Sequence, residues 1–171
     1  ICTKHINRHP HVFNNVDLDM SQFEKTWEEL KRDEKGETSI TSGLKRIPNH
    51  LPALIKAEKI QHKAALIGFD WDDIKDVFEK IEEEYKELLD ECKQGNIKYI
   101  KEELGDLLFS IVNLARFLHI DSEEALNLTN QKFINRFEFM EENASKLHKK
   151  LEDLTLDQME ELWQSAKKNK L

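Results

Sequence analysis

Apolar side chains recur every three or four residues through most of this chain, the period of an α-helix with one buried side. Phe23, Trp27 and Leu30 mark a helix over residues 20 to 32, begun by Ser21 with Glu24 three positions on. Pro48 and Pro52 bracket the entry to a second helix, 52 to 67, closed by Gly68. A third starts at Asp70 to Asp73 and carries Ile74, Val77, Phe78, Ile81, Tyr85, Leu88 and Cys92 along one stripe. Gly95 and Asn96 turn the chain into a fourth, 97 to 119. From Leu104 to Leu118 that helix is apolar nearly all round, so it is expected to be buried on most sides. A helix over 122 to 148 and a short last one from near Thr155, holding Trp163, complete the pattern. With only five glycines and three prolines to interrupt it, the expected fold is all-α.

The polar exceptions carry the chemistry. Glu103, Asp106, Ser110 and Asn113 follow spacings of three, four and three, one polar line on an otherwise apolar helix. A carboxylate facing a bundle interior needs a cation or a hydrogen-bonding partner to offset its desolvation. On the preceding helix Glu84 borders the apolar stripe, Glu87 comes next and Glu83 lies on the far side. The short connection through Gly95 makes the two helices antiparallel neighbours, so Glu84, Glu87, Glu103 and Asp106 can converge. Four oxygen ligands without a nearby His or Cys suit a hard cation, Mg2+ or Mn2+. The competing reading is two unrelated salt-bridged surfaces, because 35% of the residues are charged and runs such as EEEYKELLDE are common on exposed helices.

Composition narrows the function classes. A formal net charge of −8 argues against a general binder of DNA or RNA, whose affinity rests on cationic neutralisation of phosphates. Cys2 and Cys92 form no spaced framework, so a reducing cytoplasm is the expected setting, and no apolar run reaches membrane-spanning length. His9 to His11 (HPH) lacks further ligands. A di-iron carboxylate bundle calls for Glu-x-x-His, and no Glu stands three residues before any of the seven histidines. A non-enzymatic acidic helical interaction module stays open as the alternative.

EEEYKE followed by EELGDLL resembles the EExxE…ExxD signature of the MazG family of nucleoside triphosphate pyrophosphohydrolases. The resemblance runs from LPALIKAEKIQHKAALIGFDW through GDLLFSIVNLARFL and ALNLTNQKFINRFEFME to EELW, essentially residues 48 to 168. It implies a four-helix, antiparallel all-α bundle, at least dimeric, that cleaves an NTP to NMP and pyrophosphate with Mg2+. Carried over by position, Glu84, Glu87, Glu103 and Asp106 would be the metal ligands, and Glu83 the catalytic base or an outer support for it. Lys132 and Arg136 in KFINRF match a basic pair that contacts the phosphate chain, and Trp163 matches an aromatic near the nucleotide. Ile134 and Asn135 stand where the family commonly carries Glu–Arg, so one cation is missing. By pattern alone Lys132 and Arg136 could equally be a solvated basic face, and Trp163 core packing. Lys59 and Lys63, on one face of the second helix, are further candidates to approach phosphate, against simple exposure.

KHINR (4–8) matches KFINR (132–136), and WEELK (27–31) matches WQSAK (163–167), in the same order. With its start at Ile1, the chain thus reads as the tail of a first MazG-type domain (1–32), a flexible linker (33–47) rich in Thr, Ser and Gly, and a complete catalytic domain (48–171). The apolar fourth helix adds the expectation of a homodimer.

Overall fold

The computed structural model describes residues 39–169. Among them are six α-helices and one 3-10 turn, and no strand. The helix expected over 20 to 32, and with it the repeated KHINR and WEELK motifs, lies outside the described residues.

The first helix, α1 (Ile40–Lys45), falls inside the stretch expected to be linker. The Ser39 hydroxyl accepts the Ser42 N–H at 3.1 Å and the Ser42 hydroxyl accepts the Ser39 N–H at 3.2 Å. This reciprocal cap uses the same small polar residues that gave the segment its linker composition. Residues Ile40–Lys45 are therefore helical, and Ile47 just beyond them is buried.

Helix α2 (Ala53–Ala65) follows Pro52, whose ring fixes φ and whose missing N–H costs nothing at a helix start. Helix α3 (Ile74–Gln94) opens at Asp73, whose carboxylate accepts the Lys75 N–H at 2.9 Å. It closes at Gly95, which takes a left-handed φ of 74° and donates its N–H to the Glu91 carbonyl at 2.9 Å. Asn96 then caps α4 (Ile97–Phe117) by accepting the Lys98 N–H at 3.2 Å. Two residues thus join α3 to α4, and the helices pack along each other with Val77 and Val112 fully buried.

Helix α2 also lies on α4, where the Gln61 amide donates to the Phe109 carbonyl at 2.8 Å. The loop before α3 is fixed by Arg116 near the end of α4. Its guanidinium donates to Asp70 Oδ2 at 2.9 Å, bonds Asp70 Oδ1 as well, and reaches Asn113 Oδ1 at 2.8 and 3.1 Å. Burial alone would raise the Asp70 carboxyl, but the Arg116 and Trp71 hydrogen bonds and the Arg116 charge outweigh it and hold the carboxyl below its ordinary value. Asn113, one of the expected polar line, serves this clamp.

Burial of α4 on most sides is not what this chain achieves. Leu104, Leu108, Phe109 and Ile111 are each more than 40% exposed, because α2 and α3 supply its main neighbours and cover only part of its circumference. Phe78 and Tyr85 on α3 are similarly open.

The chain divides after Leu118 into two compact units. The second contains α5 (Ser122–Lys146), the 3-10 turn Leu151–Asp153 and α6 (Leu156–Lys168). Thr155 and Gln158 form a capping box at the expected start of α6, and α6 packs on α5. Met140, Ala144, Leu154 and Ala166 are buried in this unit. No helix among the described residues is long and apolar enough to cross a membrane.

At Gly95 the left-handed backbone restricts which side chain can stand there. A Cβ there would touch nothing within 4 Å, so the cost of adding one is conformational rather than steric with respect to neighbours. Gly95→Ala should lower unfolding stability by about 1–2 kcal/mol, read as a reduced urea midpoint. An unchanged midpoint would show that the turn does not depend on the left-handed residue.

Candidate metal centre

Spacing on α3 puts Glu84 and Glu87 one turn apart on the same side of the helix. Packing against α4 brings Glu103 to them. Glu84, Glu87 and Glu103 each offer a carboxylate oxygen, and the three atoms lie within 4.8 Å of one another. Glu84 is buried at 6% exposure, Glu103 is half-buried and Glu87 is exposed. Asp106, one turn further along α4, is exposed and is not a member of this group of three. Its charge still acts on the centre. Burial, followed by the charges of Glu87, Asp106, Glu84 and Glu91, pushes the Glu103 carboxyl above its usual range.

Two participants were not singled out from the sequence. Glu91, one turn after Glu87, joins the field around Glu103, and its Oε2 is buried without a hydrogen-bond partner among the described residues. Lys80, one turn before Glu84, places its ammonium 2.7 Å from Glu84 Oε1 and 3.1 Å from Glu83 Oε1. Hydrogen bonds to Glu84 and then Glu83 raise the lysine above its ordinary value. Spacings of three and four in KIEEE held both contacts in plain view, but a lysine among glutamates reads as ordinary surface pairing.

The donor set fits a hard divalent cation. It consists of carboxylate oxygens on two packed helices, with mutual repulsion that a cation would relieve.

The other candidates lie elsewhere. Lys59 is exposed and Lys63 half-buried on α2, the helix that packs on α4, rather than on either acid-bearing helix. In the second unit, Lys132 is exposed on α5, and the Arg136 guanidinium lies 5.3 Å from the centroid of the Trp163 ring. Trp163 also packs against Phe133 and Phe137, with ring centroids 5.1 and 6.2 Å away, and Lys167 approaches it at 5.9 Å. The indole therefore makes aromatic and cation contacts within its own unit.

The raised Glu103 carboxyl has a signed consequence. Without divalent cations, its ionised form destabilises the folded state; that penalty is full above the raised folded value and disappears below the ordinary glutamate range. Glu103→Gln should therefore match or exceed the wild type in Tm at pH 7 in EDTA. The difference should close as pH falls through the raised folded value towards the ordinary glutamate range. A variant less stable than wild type at pH 7 would mean that Glu103 makes a net favourable contact instead.

Residues 73–140 match the family model of the MazG nucleotide pyrophosphohydrolase domain. The chain is 46% identical over 164 residues to a protein of Thermotoga maritima named nucleoside triphosphate pyrophosphohydrolase/pyrophosphatase MazG, covering 96% of this chain and 62% of that protein. It is 39% identical over 167 residues to the nucleoside triphosphate pyrophosphohydrolase of Escherichia coli K12, covering 96% of this chain and 64% of that one. An uncharacterized protein of Bacillus subtilis, YabN, is 45% identical over 169 residues, 98% of this chain and 34% of its own length. The chain thus spans less than two thirds of the length of the curated relatives it matches. The acids that converge on α3 and α4 all lie inside the matched segment, and residues 73–140 form a MazG-type domain.

Proposed function

We propose that this chain is a Mg2+-dependent nucleoside triphosphate pyrophosphohydrolase, converting NTP and water to NMP and pyrophosphate in housekeeping of the cytoplasmic nucleotide pool. The observation that carries the reading is the convergence of the Glu84, Glu87 and Glu103 oxygens within 4.8 Å on two packed helices. The names of the Thermotoga and Escherichia relatives, both nucleoside triphosphate pyrophosphohydrolases, support it. A non-enzymatic interaction module would account for the exposed apolar faces but not for three carboxylates held together against their own repulsion.

In this reading Glu84, Glu87 and Glu103 would hold the cation, with Asp106 as the fourth carboxylate of the set. Mg2+, or Mn2+ in its place, would neutralise phosphate oxygens and make water a better nucleophile. Glu83 orients the attacking water and takes its proton. Lys132 and Arg136 hold the phosphate chain, Trp163 lies near the nucleotide, and Lys59 and Lys63 add positive charge near the entering phosphates. Water oxygen bonds to the α-phosphorus as the bond to the bridging oxygen breaks, and pyrophosphate leaves with that oxygen. The chain has no GxxxxGK[ST] loop of the kind that cradles a γ-phosphate, which favours attack at the α position. The half-exposed apolar residues of α4 suit a homodimer in which two α3–α4 hairpins build an antiparallel four-helix arrangement. Residues 1–32 are read as the tail of a preceding MazG-type domain.

Hydrolysis in oxygen-18 water, read by mass spectrometry, should place the label in the NMP. Label in pyrophosphate would indicate attack at the β-phosphorus, and label in free phosphate would overturn the reading. Sedimentation at micromolar concentration should give a dimer mass, and a monomer would remove the four-helix arrangement.

A further inference from the structure

Glu84 is the most buried acid of the centre, at 6% exposure, and a charge so placed requires compensation. Lys80 supplies it at 2.7 Å, the shorter of the lysine's two carboxylate contacts. Intrinsic helix preference favours the contact only weakly, because Glu before Lys at this spacing is the better orientation and here the order is reversed. Lys80 is itself about one-third exposed, with a flexible stem that can withdraw towards solvent. Glu83, 56% exposed, offers the ammonium a second carboxylate at 3.1 Å that is not among the three converging acids.

We infer that Lys80 is the built-in counter-cation of Glu84, and that a divalent cation engaging Glu84, Glu87 and Glu103 displaces the ammonium from it. The inference rests on the proposed reading of those three acids as metal ligands. A cation bound to an oxygen of Glu84 would lie only a few ångströms from an ammonium still held there. Repulsion between a double and a single positive charge at that range exceeds what a partly exposed ion pair contributes. Cation binding is therefore an exchange of one positive charge for another, and the affinity of the centre is set partly by how firmly Lys80 holds Glu84.

The test is Mn2+ binding to the full chain, followed by the electron paramagnetic resonance of the free ion, with circular dichroism checking the fold of each variant. Lys80→Met keeps the apolar stem and removes the competitor, so Mn2+ should bind about three- to tenfold more tightly. Lys80→Arg keeps the charge but offers a fork that grips a carboxylate at two points, so Mn2+ should bind more weakly than to wild type. This second variant separates displacement from a general field effect, since Arg and Lys carry the same charge. Equal affinity for the Arg variant and wild type, or no tightening in the Met variant, would overturn the inference while leaving the metal site in place. No saturable Mn2+ binding in any of the three proteins would bring down the metal reading and the inference together.

Discussion

Packing of α3 against α4 holds together carboxylates that would separate if left to electrostatics alone. The apolar contacts of the hairpin, with Val77 and Val112 at full burial, supply the favourable free energy that brings the charges close. The position of Glu103, facing four other acids with its carboxyl pushed upward, is the visible result of that opposition. A cation entering among these acids would relieve repulsion that the fold already imposes.

Two ion pairs with different purposes flank this tension. Arg116 bonds Asp70 and Asn113 at several points, and so fixes the loop between α2 and α3 to the end of α4. A guanidinium fork suits that task because its geometry is rigid. Lys80 meets Glu84 and Glu83 with a single mobile ammonium, a looser arrangement in keeping with a contact that can be exchanged. The choice of cation thus follows the demand at each place: permanence at the end of the hairpin, replaceability at its centre.

Most helices could be read from apolar periodicity and punctuation, because Asp73, Gly95, Asn96 and Thr155 have side chains or backbone freedom that make them terminators in almost any context. Helix α1 could not, since a serine-rich segment looks alike whether its hydroxyls meet solvent or cap a turn. Burial of α4 has a related limit: apolarity shows that a surface needs covering, but not whether the cover lies within the same chain. At the centre, spacing on two adjacent helices let Glu84, Glu87 and Glu103 converge, as their oxygens do, whereas Asp106 stands outside that group of three. Lys80 and Glu91 were missed because their importance lies in contacts and partial burial, which residue type alone does not reveal.

The two-residue connection between α3 and α4 also acts as an angular gauge. Each residue of an α-helix advances the side-chain direction by about 100° and the axis by about 1.5 Å. One residue inserted between Gln94 and Ile97, if absorbed by shifting α4 through its packing, would carry Glu103 round to a different side while leaving Glu84 and Glu87 in place. Composition, helix content and every acidic residue would survive such a change, yet the three oxygens would no longer meet. In this hairpin, tolerance to substitution and tolerance to insertion are therefore separate properties, and the convergence depends on the length of the connection as much as on the acids themselves.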